Sequence, residues 1–485
     1  MTNLLPPESF MTVCDSARDL FERLNGAVRL NADRTLAITD ADRFRNELID
    51  VLVATAVFSQ DASAREAARW LIWEGAHAMG AHSASIQGLY AARGRGKTPN
   101  DFTVPAVNIR GMTYDFARAM FRAAHALDVG AFVFEIAKSE MGYTDQRPAE
   151  YATCIMAAAV KERHHGPVFI QGDHFQFNAK NYGQDPEKEA QGIRDLVVEA
   201  IAAGFYNIDI DSSTLVDLSF PTLDEQQKHN YERAAEMTAW VRKHEPAGLT
   251  ISVGGEIGEV GHKNSTVEEL RAYMDGYNRA LHGYGDGITP ISKVSVQTGT
   301  SHGGLPTADG KVAEVKLDFQ VLEDLSREAR EQYGMAGAVQ HGASTLPDDL
   351  FHHFPERGTA EIHLATGFQN LLYDGGFLPP ALLEEMFEWL RKNCADERTA
   401  GQTEEQFLYK TRKKAYGPFK RRLWELVEEK DRYMAALQQK LEFLFDKLHM
   451  RGTRAMVEQN VKTVLVHRPL PEGAAPALGQ TAGAR

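Results

Sequence analysis

Eight short apolar runs, each parted from the next by a stretch of helical periodicity, constrain this chain more than any other feature. The runs are Thr103–Asn108, Gly130–Ala137, Pro167–His174, Tyr206–Ser213, Leu249–Gly258, Ser292–Gly299, Gly337–Ser344 and Thr359–Thr366. Between them Ala117–Ala126, Glu187–Ala203, Gln226–Lys243, Val267–Ala280 and Lys316–Gln332 place apolar residues at three-to-four spacing, the mark of amphipathic helices. Strand, helix, strand, repeated, forces parallel pairing with the helices outside. Eight such units over residues 101–375 predict an α/β fold, a (β/α)8 TIM barrel, which typically takes about 250 residues. An open doubly wound sheet is the competing fold.

The flanks read as helical. Residues 1–100 form an N-terminal helical extension, with Ala41–Phe58 and Ala64–Met79 as its clearest segments. Residues 376–467 form a C-terminal helical region containing Ala381–Asn393 and a long stretch, Gly417–His449. Residues 468–485 are Pro-, Ala- and Gly-rich with little to bury, and are expected to be disordered. The net charge of −14 disfavours nucleic acid and anionic membranes as partners. Three scattered cysteines, Cys14, Cys154 and Cys394, fit neither a disulfide framework nor a zinc knuckle, so a reducing cytoplasmic compartment is expected. The N-terminus lacks a basic region and a long apolar core, and does not read as a secretory signal.

Polar residues gather where the apolar runs end. The third ends in Asp173-His174, the fourth in Asp211-Ser212-Ser213 and the fifth in Glu256. His302-Gly303 follows the sixth, the seventh ends in His341-Gly342, and the eighth holds His363 and Thr366. In a barrel these ends share one rim, where active sites are built. Three histidines and three carboxylates on one rim suit a divalent metal. The pairs His164-His165 and His352-His353 fall away from that rim and read as surface residues. Asp209 lies deeper along its strand than Asp211 and reads as a core polar residue.

At these residues the chain resembles the class II, zinc-dependent fructose-bisphosphate and tagatose-bisphosphate aldolases. The resemblance rests on Pro105-Ala106-Val107-Asn108, Gln171-Gly172-Asp173-His174, Glu256-Ile257-Gly258, His302-Gly303 and His341-Gly342-Ala343-Ser344, in the family order. It implies that His174, His302 and His341 ligate Zn2+ or another divalent metal, with Glu256 as an alternate carboxylate. It implies that Asp173 is the acid/base for the C4 hydroxyl and that Glu259 supplies a second catalytic carboxylate. Gly303, Ser344 and Thr366 would cradle the ketose 1-phosphate, with Asn108, Asp211, Gly342 and His363 also on the substrate side. In the basic run Lys413–Arg422, Lys420 or Arg421 would reach a neighbouring subunit's site, which implies a homodimer or larger assembly.

Physical chemistry supports the implied reaction independently. Breaking a bond beside a ketone leaves an enediolate, which a metal stabilises, while a positioned carboxylate moves the proton. The expected function is therefore a metal-dependent aldolase acting on a phosphorylated sugar. A non-catalytic barrel and a metal-dependent isomerase or epimerase are the alternatives. Two positions depart from the family pattern: Gln171 replaces a histidine, and His363-Leu364-Ala365-Thr366 replaces Asn-x-Asp-Thr. The eighth-strand departure predicts an altered substrate and weaker action on fructose 1,6-bisphosphate.

Overall fold

The computed structural model describes residues 11–258, 263–299 and 317–478. Each of the eight apolar runs forms a strand: β1 Val104–Asn108, β2 Val133–Ala137, β3 Gly166–Gln176, β4 Asn207–Asp211, β5 Ser252–Glu256, β6 Lys293–Val296, β7 Ala338–Gln340 and β8 Glu361–Leu364. All neighbours pair in parallel, and β8 returns to β1 with His363 beside Ala106. The sheet is therefore a closed barrel. β1, β2 and β4 are buried along their whole length, as strands covered by helices outside and side chains inside must be.

Helices cover the barrel because their starts are encoded locally. Thr222 with Glu225 and Thr266 with Glu269 form capping boxes at Leu223–His244 and Val267–His282, satisfying amides that the first helical turn leaves open. Asp318 does the same for Phe319–Tyr333, accepting from the amides of Gln320 and Val321. Among the described residues no helix is long and apolar enough to cross a membrane.

Three features differ from the sequence-based expectation. The first hundred residues are not wholly helical: Ala81–Ala84 is a strand that pairs with the N-terminal part of β3, and Val28–Leu30 pairs with Leu36–Ile38. The stretch Gly417–His449 is broken into Lys420–Trp424 and Glu428–Lys447. Lys430 Nζ donates to the Trp424 carbonyl at 2.9 Å, satisfying an acceptor at the break. The stretch from 468 is packed as far as Leu478. The Arg468 guanidinium lies 3.8 Å from the Trp73 ring centroid, and Ala474–Ala477 forms a helical turn with Ala474 buried.

Candidate active site

Alternation along a strand sends adjacent side chains to opposite faces, so Asp173 and His174 should part. They do not, because β3 bulges. Its register against β4 shifts between Gly172 and Phe175, and His174 takes a left-handed backbone with φ 42°. Such bulges re-aim side chains next to functional sites. Asp173 Oδ1 consequently lies 3.8 Å from Nε2 of His174 and 3.8 Å from Nε2 of His341. The two imidazoles face each other with centroids 4.2 Å apart.

Neighbours fix these groups. His174 Nδ1 donates to Asp211 Oδ2 at 2.9 Å and lies 3.2 Å from Glu256 Oε2. Asn108 Nδ2 donates to Asp173 Oδ2 at 2.9 Å and to Glu140 Oε2 at 2.8 Å. His363 Nδ1 lies 3.1 Å from Asp173 Oδ1 and 2.9 Å from His341 Nε2. Burial opposes ionisation of Asp173, but His174, His363 and His341 overcome it and hold the carboxyl well below its usual range. Burial, with the Asp211 and Asp173 charges, pushes Glu256 up to about 7 despite His174.

Beneath this rim lies a layer of charge inside the barrel. Lys293 Nζ bonds Gln171 Oε1 at 2.8 Å, Asp209 Oδ2 at 2.9 Å and Glu361. His363 Nε2 donates to Glu361 Oε1 at 2.7 Å, and Tyr90 donates to the other oxygen of Glu361. Gln171 Nε2 donates to Glu135 Oε2 at 2.9 Å and Glu361 Oε1 at 3.0 Å. Burial raises the Glu135 carboxyl well above its usual range, and so favours its neutral form. Gly254 makes room for this layer: a Cβ there would meet Asp209 Oδ1 at 2.3 Å. Gln171 and His363 are thus two members of one network.

Above the rim opens a cavity of about 610 Å³. Asn108, Asp173, His174, His341, Gly342, Ser344, His363 and Thr366 line it, as expected from the sequence. Gly342 has φ 71°, the left-handed turn that carries the chain off β7. Asp211 and Glu256 stand behind His174.

One wall is basic, and of its three cations only Lys413 falls in the basic run marked by the sequence. Arg110 Nε donates to Glu140 Oε1 at 2.7 Å and its Nη1 to Gln369 Oε1 at 2.9 Å. Lys138 and Lys413 line the same cavity. Burial, then Arg110, lowers the Lys413 pKa, and Lys413 Nζ has no ion-pair partner among the described residues.

Lys420 and Arg421, expected at a neighbouring subunit's site, make ion pairs within their own chain. Lys420 Nζ pairs with Glu150 Oε1 at 2.8 Å, and Arg421 Nε with Glu425 Oε1 at 3.0 Å. His164 is a correction: it is buried, not on the surface, with Nδ1 3.2 Å from His125 Nε2. His302, Gly303 and Glu259 lie outside the described residues.

The family model for class-II fructose-bisphosphate aldolase matches residues 97–435. The chain belongs to that family. No curated protein matches the class II aldolase chain by sequence. Among solved structures it is similar to a probable tagatose 6 phosphate kinase from Sinorhizobium meliloti 1021, at 18% identity and TM-score 0.50, covering 74% of this chain and 93% of that one. It is also similar to fructose-bisphosphate aldolase from Campylobacter jejuni, at 16% and 0.47, covering 77% and 97%. A third likeness is to fructuronate-tagaturonate epimerase UxaE from Cohnella laeviribosi, at 10% and 0.44, covering 75% and 82%.

Proposed function

We propose that the protein is a divalent-metal-dependent aldolase that cleaves or forms a carbon–carbon bond in a phosphorylated ketose. The observation that carries this reading is the Asp173 carboxylate, 3.8 Å from both His174 and His341 at the mouth of the family's barrel. Asp173, His174 and His341 offer donor atoms within 4.8 Å of one another, and imidazoles with carboxylates are a donor set for zinc or a similar ion. His174 and His341 would hold it, with His302 as the third ligand expected from the family. When bound, such an ion stabilises negative charge beside the substrate's ketone.

The other roles fall to the chain itself. Asp173 takes the proton of the C4 hydroxyl in cleavage and returns it in synthesis. Asn108 holds one oxygen of that carboxylate at 2.9 Å, so the other is aimed at the imidazoles. Lys413 gives the cavity wall a positive charge for an anionic substrate end, beside Arg110 and Lys138, which are paired with Glu140 and Glu189. Ser344 and Thr366 stand at the start of the helix Thr366–Asp374, whose amides favour a second anion.

The test is a product assay on a panel of ketose 1-phosphates and 1,6-bisphosphates, with and without chelator. A triose phosphate should appear and should vanish with chelator. An epimerised ketose with no triose phosphate would replace cleavage by epimerisation. No product from any sugar with metal-loaded protein would end the proposal.

A further inference from the structure

Far from the barrel mouth, the helix Ala62–Ala78 carries Glu74 and His77 three residues apart, hence on one face. The last part of the chain crosses that face. Trp73 Nε1 donates to the Val466 carbonyl at 2.8 Å, Trp70 Nε1 to the Arg468 carbonyl at 3.2 Å, and the Arg468 amide to Glu74 Oε1 at 2.9 Å. This crossing brings His467 Nδ1 to 2.6 Å from Glu74 Oε2. One donor atom each from Glu74, His77 and His467 then lie within 4.8 Å of one another.

One further observation points to a cation here. His77 Nδ1 is buried with no hydrogen-bond partner. Buried nitrogens of this kind are normally satisfied, and a cation can satisfy a lone pair. Arg468 does not fill the place. Its guanidinium lies over Trp73 at 3.8 Å and donates to the Ala203 carbonyl at 2.7 Å.

We propose that Glu74, His77 and His467 form a second divalent-cation site, of zinc type, that fastens the C-terminal segment of the chain to its N-terminal helix. Two imidazoles and one carboxylate are a ligand set zinc uses, and Glu-x-x-His on one helix face is a spacing that metal sites use. Binding through Nδ1 of His467 moves its proton to Nε2, and the hydrogen bond to Glu74 gives way to the shared ion. The site is independent of the barrel chemistry.

The experiment counts ions. Chelator-stripped protein is loaded with Zn2+ or Co2+, freed of excess, and analysed for metal per chain. His467→Ala should bind one ion fewer per chain than wild type. His174→Ala/His341→Ala should keep an ion that adding His467→Ala removes, and Zn2+ should raise the melting temperature of the former variant only. The group of half-buried His352 and His353 with Glu356 is controlled by His353→Ala, which should leave the His467-dependent ion in place. Equal metal content in wild type and His467→Ala would overturn the proposal. It would then leave a plain hydrogen bond between Glu74 and His467. If the double barrel variant does not fold, the comparison of wild type with His467→Ala still decides.

Discussion

Asp211 accepts the Nδ1 proton of His174 at 2.9 Å, and so decides which nitrogen of that imidazole is left for a ligand. Gln176 Nε2 at 2.6 Å and Ser213 Oγ at 2.6 Å hold the Asp211 carboxylate in turn. Partners of this kind typically change metal affinity about 10- to 100-fold when removed. Asp211→Ala should weaken metal binding by that factor in a chelator competition, with folding intact by circular dichroism. Unchanged affinity would mean that the bulge alone orients His174.

Asp173→Asn should separate proton transfer from binding. The amide keeps the shape of the group between Asn108 and His363 but cannot take a proton. The turnover rate should fall about 10²-fold or more, the usual size for a positioned acid/base, while metal content stays at the wild-type level. Metal lost along with activity would instead make Asp173 a structural ligand.

Lys413 and Lys420 give opposite expectations. Lys413 lines the cavity; Lys420 is paired with Glu150. A hydrogen bond to a charged group is worth about 1.5–3 kcal/mol, so Lys413→Met should raise KM for a phosphorylated substrate roughly 10- to 100-fold and leave kcat nearly unchanged. Lys420→Met should lower stability and leave KM alone. If KM follows Lys420 instead, the anion is held from outside the described cavity.

His363→Asn would restore the family's usual residue but would break a local network. The imidazole bridges Glu361 at 2.7 Å and Asp173 at 3.1 Å, and a shorter side chain leaves one of two buried carboxylates short of a partner. The expected cost is about 1–3 kcal/mol, read as a lower midpoint in urea. Pairing it with Glu361→Gln should recover part of that loss, and a strictly additive pair would show that the two are not coupled.

Stability should fall in mild acid partly through His164. Burial, then His125, lowers its pKa from 6.5 to about 3. A depressed folded-state pKa means the unfolded chain takes up the proton first. The contribution is complete above pH 6.5 and is lost as pH falls toward 3, at about 1.4 kcal/mol per pH unit. Between pH 7 and 5 the wild type should therefore lose about 2 kcal/mol that His164→Gln does not. Parallel pH profiles for the two proteins would contradict the assignment.

The strands were legible because each is an apolar run of barrel length, and Asp173, His174, His341 and His363 because they sit where those runs stop. Of the basic wall only Lys413 lay in a run that the sequence marked, since Arg110, Lys138 and Lys413 reach the cavity from segments far apart in the chain. The charged layer left a fainter signal. Glu135, Lys293 and Glu361 each interrupt an apolar run with an ion, and an ion inside a buried strand needs a partner there. The bulge could not be read at all. Strand alternation alone puts His174 on the wrong face, and only its left-handed backbone at φ 42° corrects that.

The pairing of Ala81–Ala84 with Gly166–Phe169 sets a limit on how far this enzyme can be trimmed. β3 outruns β4 at its N-terminal end, since β4 meets it only from Gln171 onward. A shortened chain beginning where the family match begins, at residue 97, would strip that margin of its partner. Val168 and Phe169 would then stand beside a row of open backbone donors and acceptors, the kind of bare sheet edge that recruits other chains. The catalytic barrel and the unit that folds without aggregating are therefore different lengths of the same polypeptide.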